Sequence, residues 1–219
     1  MGDRPLSDLT KTIRARRTDK TLGDPAAPLD PAGLSREALD ALLETAGFAP
    51  VHYAAVAAHR QGALSSIVPY RVYKLDAGGC RRLLSQLKAS SIEAGKILNM
   101  LAAAEALCLV TWLPEEGAKA DGDAFAGTLI NMENIAAASA VVQNLLLLAT
   151  EAGLRSYWSS GGVLRGPELF DWLEIPAAEI LLGAVFLFPA DVGGSDVLPG
   201  KLREKRGELD DWSAWRDVK

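Results

Sequence analysis

Four cationic side chains lie within seven residues near the start of the sequence, in the stretch "IRARRTDKTL": Arg14, Arg16, Arg17 and Lys20. Guanidinium groups, together with the hydroxyl of Thr18, can satisfy the oxygens of a phosphate dianion. A structural role is the alternative, because cations at the end of a helix complement its dipole at about 0.3–1 kcal/mol each. The dipole accounts for one or two of these cations but not for four.

A second cationic group lies near the other end of the sequence, in the stretch "KLREKRGELDD": Lys201, Arg203, Lys205 and Arg206. Its alternative interpretation is a solvated, charged tail. However, it closely follows a predicted core strand and precedes a segment with two tryptophans, so we expect it to be held in place. The two groups could therefore converge on one phosphate.

Few other side chains are suited to catalysis. The two histidines, His52 and His59, lack a third ligand for zinc, and no serine or cysteine lies in the setting of an activated nucleophile. The sequence also contains neither a Walker loop nor a GxGxxG motif after a first strand. An organic cofactor that supplies the chemistry becomes attractive in such a chain.

Composition narrows the class of protein. The net charge of −5 and the pI near 5.2 argue against a general nucleic-acid binder. Cys80 and Cys108 form no CxxC pair, and the N-terminal stretch lacks the apolar core of a signal peptide. The longest uncharged run, residues 134–150, is too short to span a bilayer. We therefore expect a cytoplasmic protein with no nucleic-acid or membrane partner.

Helices and strands alternate along the sequence. Hydrophobic periodicity, caps and β-branched runs predict helices over about residues 6–16, 36–48, 80–101, 129–152 and 166–174, and strands over 68–75, 106–112, 154–158 and 179–188. The pattern favours a three-layer α+β or α/β domain. The helix over 129–152 is apolar nearly all round, so it must be covered on every side, either by the core of one chain or by a second subunit.

Four segments resemble, in this order, the nitroreductase family of FMN enzymes: "RARRTDK", "VVQNLLLLATEAGLRSYWSSGG", "LLGAVFLFPAD" and "KLREKRGEL". The resemblance covers most of the chain. It implies an α+β, three-layer α/β/α sandwich with a mostly antiparallel central sheet, in a homodimer with FMN at the interface. It also implies a single FMN-binding domain over residues 1–219, with the segment 199–219 packing on the partner or on its own core.

The same resemblance implies residues that contact FMN. Arg16, Arg17, Thr18 and Lys20 match the segment that binds the phosphate and ribityl chain, and Arg203 and Lys205 match a basic pair that closes over the phosphate. The register of that pair is open, because Lys201 and Arg203 repeat the spacing. Asn99 matches a polar residue at the pyrimidine edge, although an exposed helix asparagine is the alternative. Backbone amides at Ser159, Ser160 and Gly161 match those that face the flavin near N5 and O4, where an ordinary turn is the alternative for Gly162.

One segment departs from the family pattern. The stretch "APVHYAAVAAHRQGALSSIVPYRVY" keeps Pro50 and Pro69 but is longer than usual and lacks the family's asparagine and glutamine. It could form a reshaped pocket wall in which His52 or Tyr53 faces the ring, or it could be a loop packed away from the site. The acceptor pocket is expected from residues 52–66 and 115–127.

The resemblance implies an activity that needs no catalytic side chain. A hydride passes from transiently bound NAD(P)H to flavin N5 and then to an electron-poor small molecule such as a nitroaromatic or a quinone. The alternatives are a specialised branch, either a dehydrogenase/oxidase or a dehalogenase, and a flavin-binding protein without turnover. A flavin-free, dimeric helical scaffold that binds a partner's acidic or nucleic-acid surface is a further alternative.

Overall fold

The protein is described by a computed structural model that covers residues 7–115 and 125–218. Its centre is a four-stranded sheet in the order β2 (Tyr70–Asp76), β3 (Ala106–Trp112), β5 (Ile180–Phe188) and β4 (Arg155–Ser159). All three strand pairs are antiparallel, so the expected antiparallel central sheet is confirmed.

In the described part of the chain, five helices cover the two faces of this sheet: α2 (Arg36–Ala46), α3 (Ala77–Ala89), α4 (Lys96–Ala103), α5 (Leu129–Glu151) and α6 (Pro167–Trp172). Helix α1 (Asp8–Ala15) lies against α5. Side chains of β3 alternate between two cores, since Cys108 and Val110 pack against α2 and α5, whereas Leu107 and Leu109 pack against α3, α4 and α6. The three-layer α/β/α arrangement of an α+β fold is therefore confirmed.

The prediction of one continuous helix over residues 80–101 is wrong, because two helices, α3 and α4, occupy this stretch. α3 ends at Ala89, where Ser90 is extended and its hydroxyl donates to the carbonyl oxygen of Leu87 at 2.8 Å. α4 begins after Gly95, whose φ of +50° suits glycine. The serines and the glycine between the two apolar stretches break the helix.

A second, two-stranded sheet was not predicted from the sequence. β1 (Asp19–Leu22) pairs antiparallel with β6 (Asp196–Pro199), and Lys20 lies opposite Leu198. This sheet joins the beginning of the chain to a segment almost 180 residues later. It is the element that brings the two cationic groups together.

α5 is only partly covered by its own chain. Within the described residues it is the helix long and apolar enough to cross a membrane, but Ala138, Val142 and Leu145 are buried in the core beneath the sheet. On its other side Met132 is 54% exposed. A single chain therefore leaves part of α5 exposed. That a second subunit covers this part stays a prediction.

The end of the chain is exposed as well. Residues 207–218 are exposed throughout, and the side chains of Trp212 and Trp215 are 65% and 99% accessible. Residues 207–218 are thus open to solvent in this chain, whereas Arg203 contacts the end of α1. Packing of the segment 199–219 on the partner or on its own core stays a prediction.

Candidate functional site

A cleft of about 1200 Å³ opens where the β1–β6 sheet places the end of α1 beside residues 199–206. Arg203 crosses between the two segments, since its guanidinium donates to the carbonyl oxygens of Arg16 at 2.6 Å and Arg14 at 2.5 Å. Six cationic side chains line the cleft: Arg14, Arg16, Arg17, Lys201, Arg203 and Arg206. The two groups from opposite ends of the sequence do converge.

Like charges crowd this cleft. Burial lowers the pKa of the Arg16 guanidinium, and the nearby charges of Arg203 and Arg17 lower it further. Glu204 is the acidic residue among the described residues that line the cleft, and its Oε1 lies 3.6 Å from Nε of Arg203. The cleft therefore carries excess positive charge, which a bound anion would relieve.

Two of the arginines also cap the end of α1. Arg17 Nη1 donates to the carbonyl oxygens of Arg14, Ala15 and Arg16 at 2.7–3.3 Å. Arg203 donates to two of the same carbonyl groups. For Arg17 the helix-end interpretation made from the sequence thus holds in part, because the last carbonyl groups of a helix need donors. Arg203 makes contacts of the same kind with this helix end and is not part of a solvated tail.

Arg16 and Thr18 present donors to the cleft. Arg16 Nη1 lies 3.3 Å from Thr18 Oγ1, and both residues line the cleft. Gly200 packs directly on Thr18: its N–H donates to the Thr18 carbonyl oxygen at 2.7 Å, and a Cβ at Gly200 would lie 3.0 Å from the Thr18 Cβ. A guanidinium, a hydroxyl and a close backbone approach fit a phosphate group.

Lys20 lies beyond the cleft, on β1. Its ammonium group lies 4.6 Å from the centroid of the Tyr157 ring, on β4. Tyr157 is followed two residues later by Ser159, where the turn after β4 begins. Lys20 therefore lies on the strand that follows the cleft residue Thr18, beside the strand that leads into the turn after β4.

The turn after β4 contains two glycines with positive φ, +110° at Gly161 and +55° at Gly162. A Cβ at Gly161 would lie 2.7 Å from Leu181 Cδ2, so packing against β5 excludes a side chain there. Gly162 is exposed, and a Cβ on it would lie 4.0 Å from Ile97. The backbone at Gly162 is therefore open to solvent. At Gly161 a glycine is needed because Leu181 leaves no room for a side chain.

The two serines of this turn differ in exposure. Ser159 is buried and its hydroxyl accepts the N–H of Gly161 at 3.2 Å. Ser160 is exposed, and its carbonyl oxygen accepts Nε–H of Arg165 at 2.5 Å. Both hydrogen bonds fix the backbone of the turn, so the turn keeps its shape without a bound ligand.

Asn99 has a structural partner. Its side-chain amide donates to the carbonyl oxygen of Gly23 at 3.0 Å, and the Gly23 N–H donates to the Asn99 carbonyl oxygen at 3.0 Å. This pair of hydrogen bonds fixes the end of β1 against α4. Contact of Asn99 with a flavin stays a prediction.

The C-terminal register differs from the expected pair. Arg203 lines the cleft with Lys201 and Arg206, whereas Lys205 is exposed outside the set of residues that line it. A 3-10 turn over Arg203–Lys205 produces this alternation. Gln143 of α5 also lines the cleft. Its place in a family-like segment was the one feature that could have pointed to it.

The longer loop at residues 51–68 is held by buried polar contacts. Arg71 is 5% exposed and donates to four carbonyl oxygens, those of His59, Ser66, Val68 and Tyr70, at 2.7–3.1 Å. The sequence reasoning missed this arginine, because nothing in its neighbours along the chain marks it as buried. The loop therefore has a defined shape.

A buried carboxylate accompanies Arg71. Glu179 is 5% exposed and accepts the hydroxyl groups of Tyr73 at 2.9 Å and Thr111 at 2.5 Å. Burial raises the pKa of Glu179, while the hydrogen bonds from Thr111 and Tyr73 and the charge of Arg71 act in the opposite direction. Glu179 lies two residues before Leu181, which packs behind Gly161.

His52 and Tyr53 lie at the surface of this loop. His52 Nδ1 lies 3.1 Å from Glu133 Oε2 on α5, and Tyr53 is 39% exposed. Contact of His52 or Tyr53 with a flavin ring stays a prediction. Of the expected acceptor-pocket region at 115–127, residues 116–124 lie outside the described residues.

Fold and site together define a class: an α+β sandwich with a cationic cleft between its two chain ends and an open glycine turn beyond it. The sequence model of the Nitroreductase family matches residues 13–187, and the chain belongs to this family. The resemblance drawn from the four segments is therefore confirmed. No curated protein sequence matches the chain.

Solved structures share the fold. A nitroreductase-like family protein from Bacillus cereus is 18% identical with a TM-score of 0.59, and the match covers 95% of this chain and all of that one. A nitroreductase with bound FMN from Bacteroides fragilis is 16% identical with a TM-score of 0.57 over 96% and 100% of the chains. The nitroreductase CinD from Lactococcus lactis, in complex with nicotinic acid, is 16% identical with a TM-score of 0.62 over 94% and 98%.

Proposed function

We propose that this protein is an FMN-dependent oxidoreductase that takes a hydride from NAD(P)H and passes it to an electron-poor small molecule such as a nitroaromatic or a quinone. Bound FMN supplies the redox chemistry, with N5 as the position that takes and gives the hydride. The observation that carries the proposal is the convergence of cations from both chain ends on one cleft. Membership of the Nitroreductase family and the FMN bound by its structural relative support it.

The residues of the cleft fit the phosphate end of FMN. Arg16 and the Thr18 hydroxyl would donate to the phosphate oxygens, and Lys201 and Arg206 would add positive charge at the rim. Arg203 would act mainly by joining the two walls, because its guanidinium is engaged with the end of α1. The carbonyl groups that it holds keep the backbone before Thr18 in place.

The ring end would lie along the turn after β4. The open backbone at Gly162 leaves room for a planar group, and the fixed backbone of Ser159 and Ser160 holds the turn in shape. The protein's contribution is then position and electrostatics, with donors arranged before the reaction. We assign no catalytic side chain.

We also propose a homodimer in the cytoplasm. The half-covered α5 and the exposed tryptophans of the tail are large apolar surfaces, which a second copy would cover. The thiols of Cys80 and Cys108 are unpaired and buried, which suits a reducing compartment. Light scattering on the purified chain tests the assembly, and a mass of one chain would contradict it.

The visible absorption spectrum of the purified chain tests the function. We expect flavin bands, bleaching by NADH or NADPH without oxygen, and recovery of colour when a quinone or a nitroaromatic is added. A protein that neither retains nor takes up FMN would contradict the proposal. A coloured protein that neither nucleotide bleaches would be a flavin-binding protein without this turnover.

A further inference from the structure

We propose that Tyr157 is a positioning residue, which holds the Lys20 ammonium group where it donates to bound FMN between the phosphate and the ring. This inference rests on the proposed function. Its geometric basis is the distance of 4.6 Å from Lys20 Nζ to the centroid of the Tyr157 ring. A cation at this distance over an aromatic face is attracted by the ring.

The backbone at Lys20 is fixed from several directions. At the start of β1, Asp19 Oδ2 lies 3.0 Å from Arg155 Nη1 of β4. At its end, Gly23 exchanges two hydrogen bonds with Asn99. β6 pairs along one edge of the strand. The remaining freedom of Lys20 is therefore that of its own flexible side chain.

Tyr157 restricts that freedom. Its ring is half-buried and packs against the core between the sheet and α3, α4 and α6, so it offers a rigid aromatic face. The side chains of Ser156 and Trp158, on either side along β4, point to the opposite face of the sheet. Tyr157 is thus the residue of β4 placed to receive the ammonium group.

The position of the ammonium group gives this contact a use. Lys20 follows Thr18 of the cleft by two residues, and Tyr157 precedes Ser159 of the turn by two residues. In the proposed binding mode, with the phosphate at Thr18 and the ring at Gly162, Lys20 is the cation that we assign to the middle of the ligand. A cation held there before binding loses less freedom when the ligand arrives, which increases affinity.

A double-mutant cycle tests the inference. The variants are Tyr157→Leu, Lys20→Met and the two combined, with Tyr157→Phe as the matched control that keeps the ring. FMN is titrated into the apoprotein of the full chain, and its dissociation constant is read from flavin fluorescence. We expect Tyr157→Leu to weaken FMN binding about five-fold when Lys20 is present, and to have no effect on FMN binding in the Lys20→Met background.

The control separates the aromatic face from the hydroxyl group, so Tyr157→Phe should bind FMN within about two-fold of the wild type. A purely structural role of Tyr157 would weaken binding equally in both Lys20 backgrounds, and that result would overturn the inference alone. A thermal melt of each variant identifies any that fails to fold. Wild-type chain that binds no FMN would overturn the proposed function along with it.

Discussion

Two arginines show how the same side chain serves two regions of this molecule. Arg71 is 5% exposed, donates to three carbonyl oxygens of the loop at residues 51–68 and to that of Tyr70, and lies near the buried Glu179. Arg16 is half-buried at the rim of a cleft, donates to one hydroxyl, and is crowded by Arg203 and Arg17. One charge is compensated within the protein and the other is not.

The difference indicates what each arginine is for. A buried cation with a full set of acceptors stabilises the shape of a segment, and removing it leaves polar groups without partners. A cation held beside like charges costs stability, and such an arrangement persists where a ligand compensates it. The two arginines thus differ in role because they differ in burial and in hydrogen-bond partners, although the residue type is the same.

The largest expected effect is on stability, from Arg71→Met. This change leaves Glu179 buried without its cation and removes the donor from four carbonyl groups, so we expect the free energy of unfolding to fall by about 3–5 kcal/mol. Urea denaturation followed by circular dichroism measures it. Arg60→Ala, in the same loop but exposed, is the control and should stay within about 0.5 kcal/mol of the wild type. A loss under about 1 kcal/mol for Arg71→Met would remove the distinction between the two regions.

The next effect is on binding, from Arg16→Gln. Loss of a charged donor to the phosphate should weaken FMN binding about 10- to 100-fold, measured by fluorescence titration of the apoprotein. Lys11→Gln is the matched control, because Lys11 lies on α1, the helix that ends just before Arg16, is exposed, and is not among the residues that line the cleft. Equal losses in the two variants would show a general effect of charge instead of a site.

The two regions should also differ in their response to pH. Burial raises the pKa of Glu179, so the Glu179 carboxyl group binds a proton more readily in the folded protein than in the unfolded chain. The resulting contribution to stability is present below the ordinary glutamate pKa and is lost as the pH rises through the raised value. Glu179→Gln should remove that fall from urea denaturation curves taken in a pH series that starts below the ordinary glutamate pKa and rises from there. Identical pH profiles for variant and wild type would contradict it.

The smallest effect sharpens the contrast. Without FMN, Arg16→Gln should change the free energy of unfolding by no more than about 0.5 kcal/mol, because relief of repulsion offsets the lost contact with Thr18. Chemical denaturation of apoprotein measures it. A loss comparable to that of Arg71→Met would give Arg16 a structural role.

The sequence predicted the long apolar elements well. The strand expected over residues 106–112 is β3, and the helix expected over 129–152 ends as α5 at Glu151. Both are continuous apolar runs with polar boundaries, so local pattern determines them. The four-residue strands β1 and β6 were missed, because only their pairing across most of the chain makes them strands.

The site was predictable in outline for a related reason. Clustered cations at both ends indicated convergence, but which of them reach the cleft depends on a 3-10 turn that carries Lys205 outside it. The capping roles of Arg17 and Arg203 and the burial of Arg71 arise from tertiary contacts. No local pattern encodes these contacts.

The central claim is that cations from both ends of the chain hold the phosphate of FMN, and the most direct test compares FMN with riboflavin, which lacks that phosphate. Both ligands are titrated into wild-type apoprotein and into the Arg16→Glu, Arg206→Glu double variant, which keeps Arg203 and its contacts with the end of α1. We predict that the wild type binds FMN about 100-fold more tightly than riboflavin and that the double variant loses this preference. Equal affinity of the wild type for the two ligands would contradict the account.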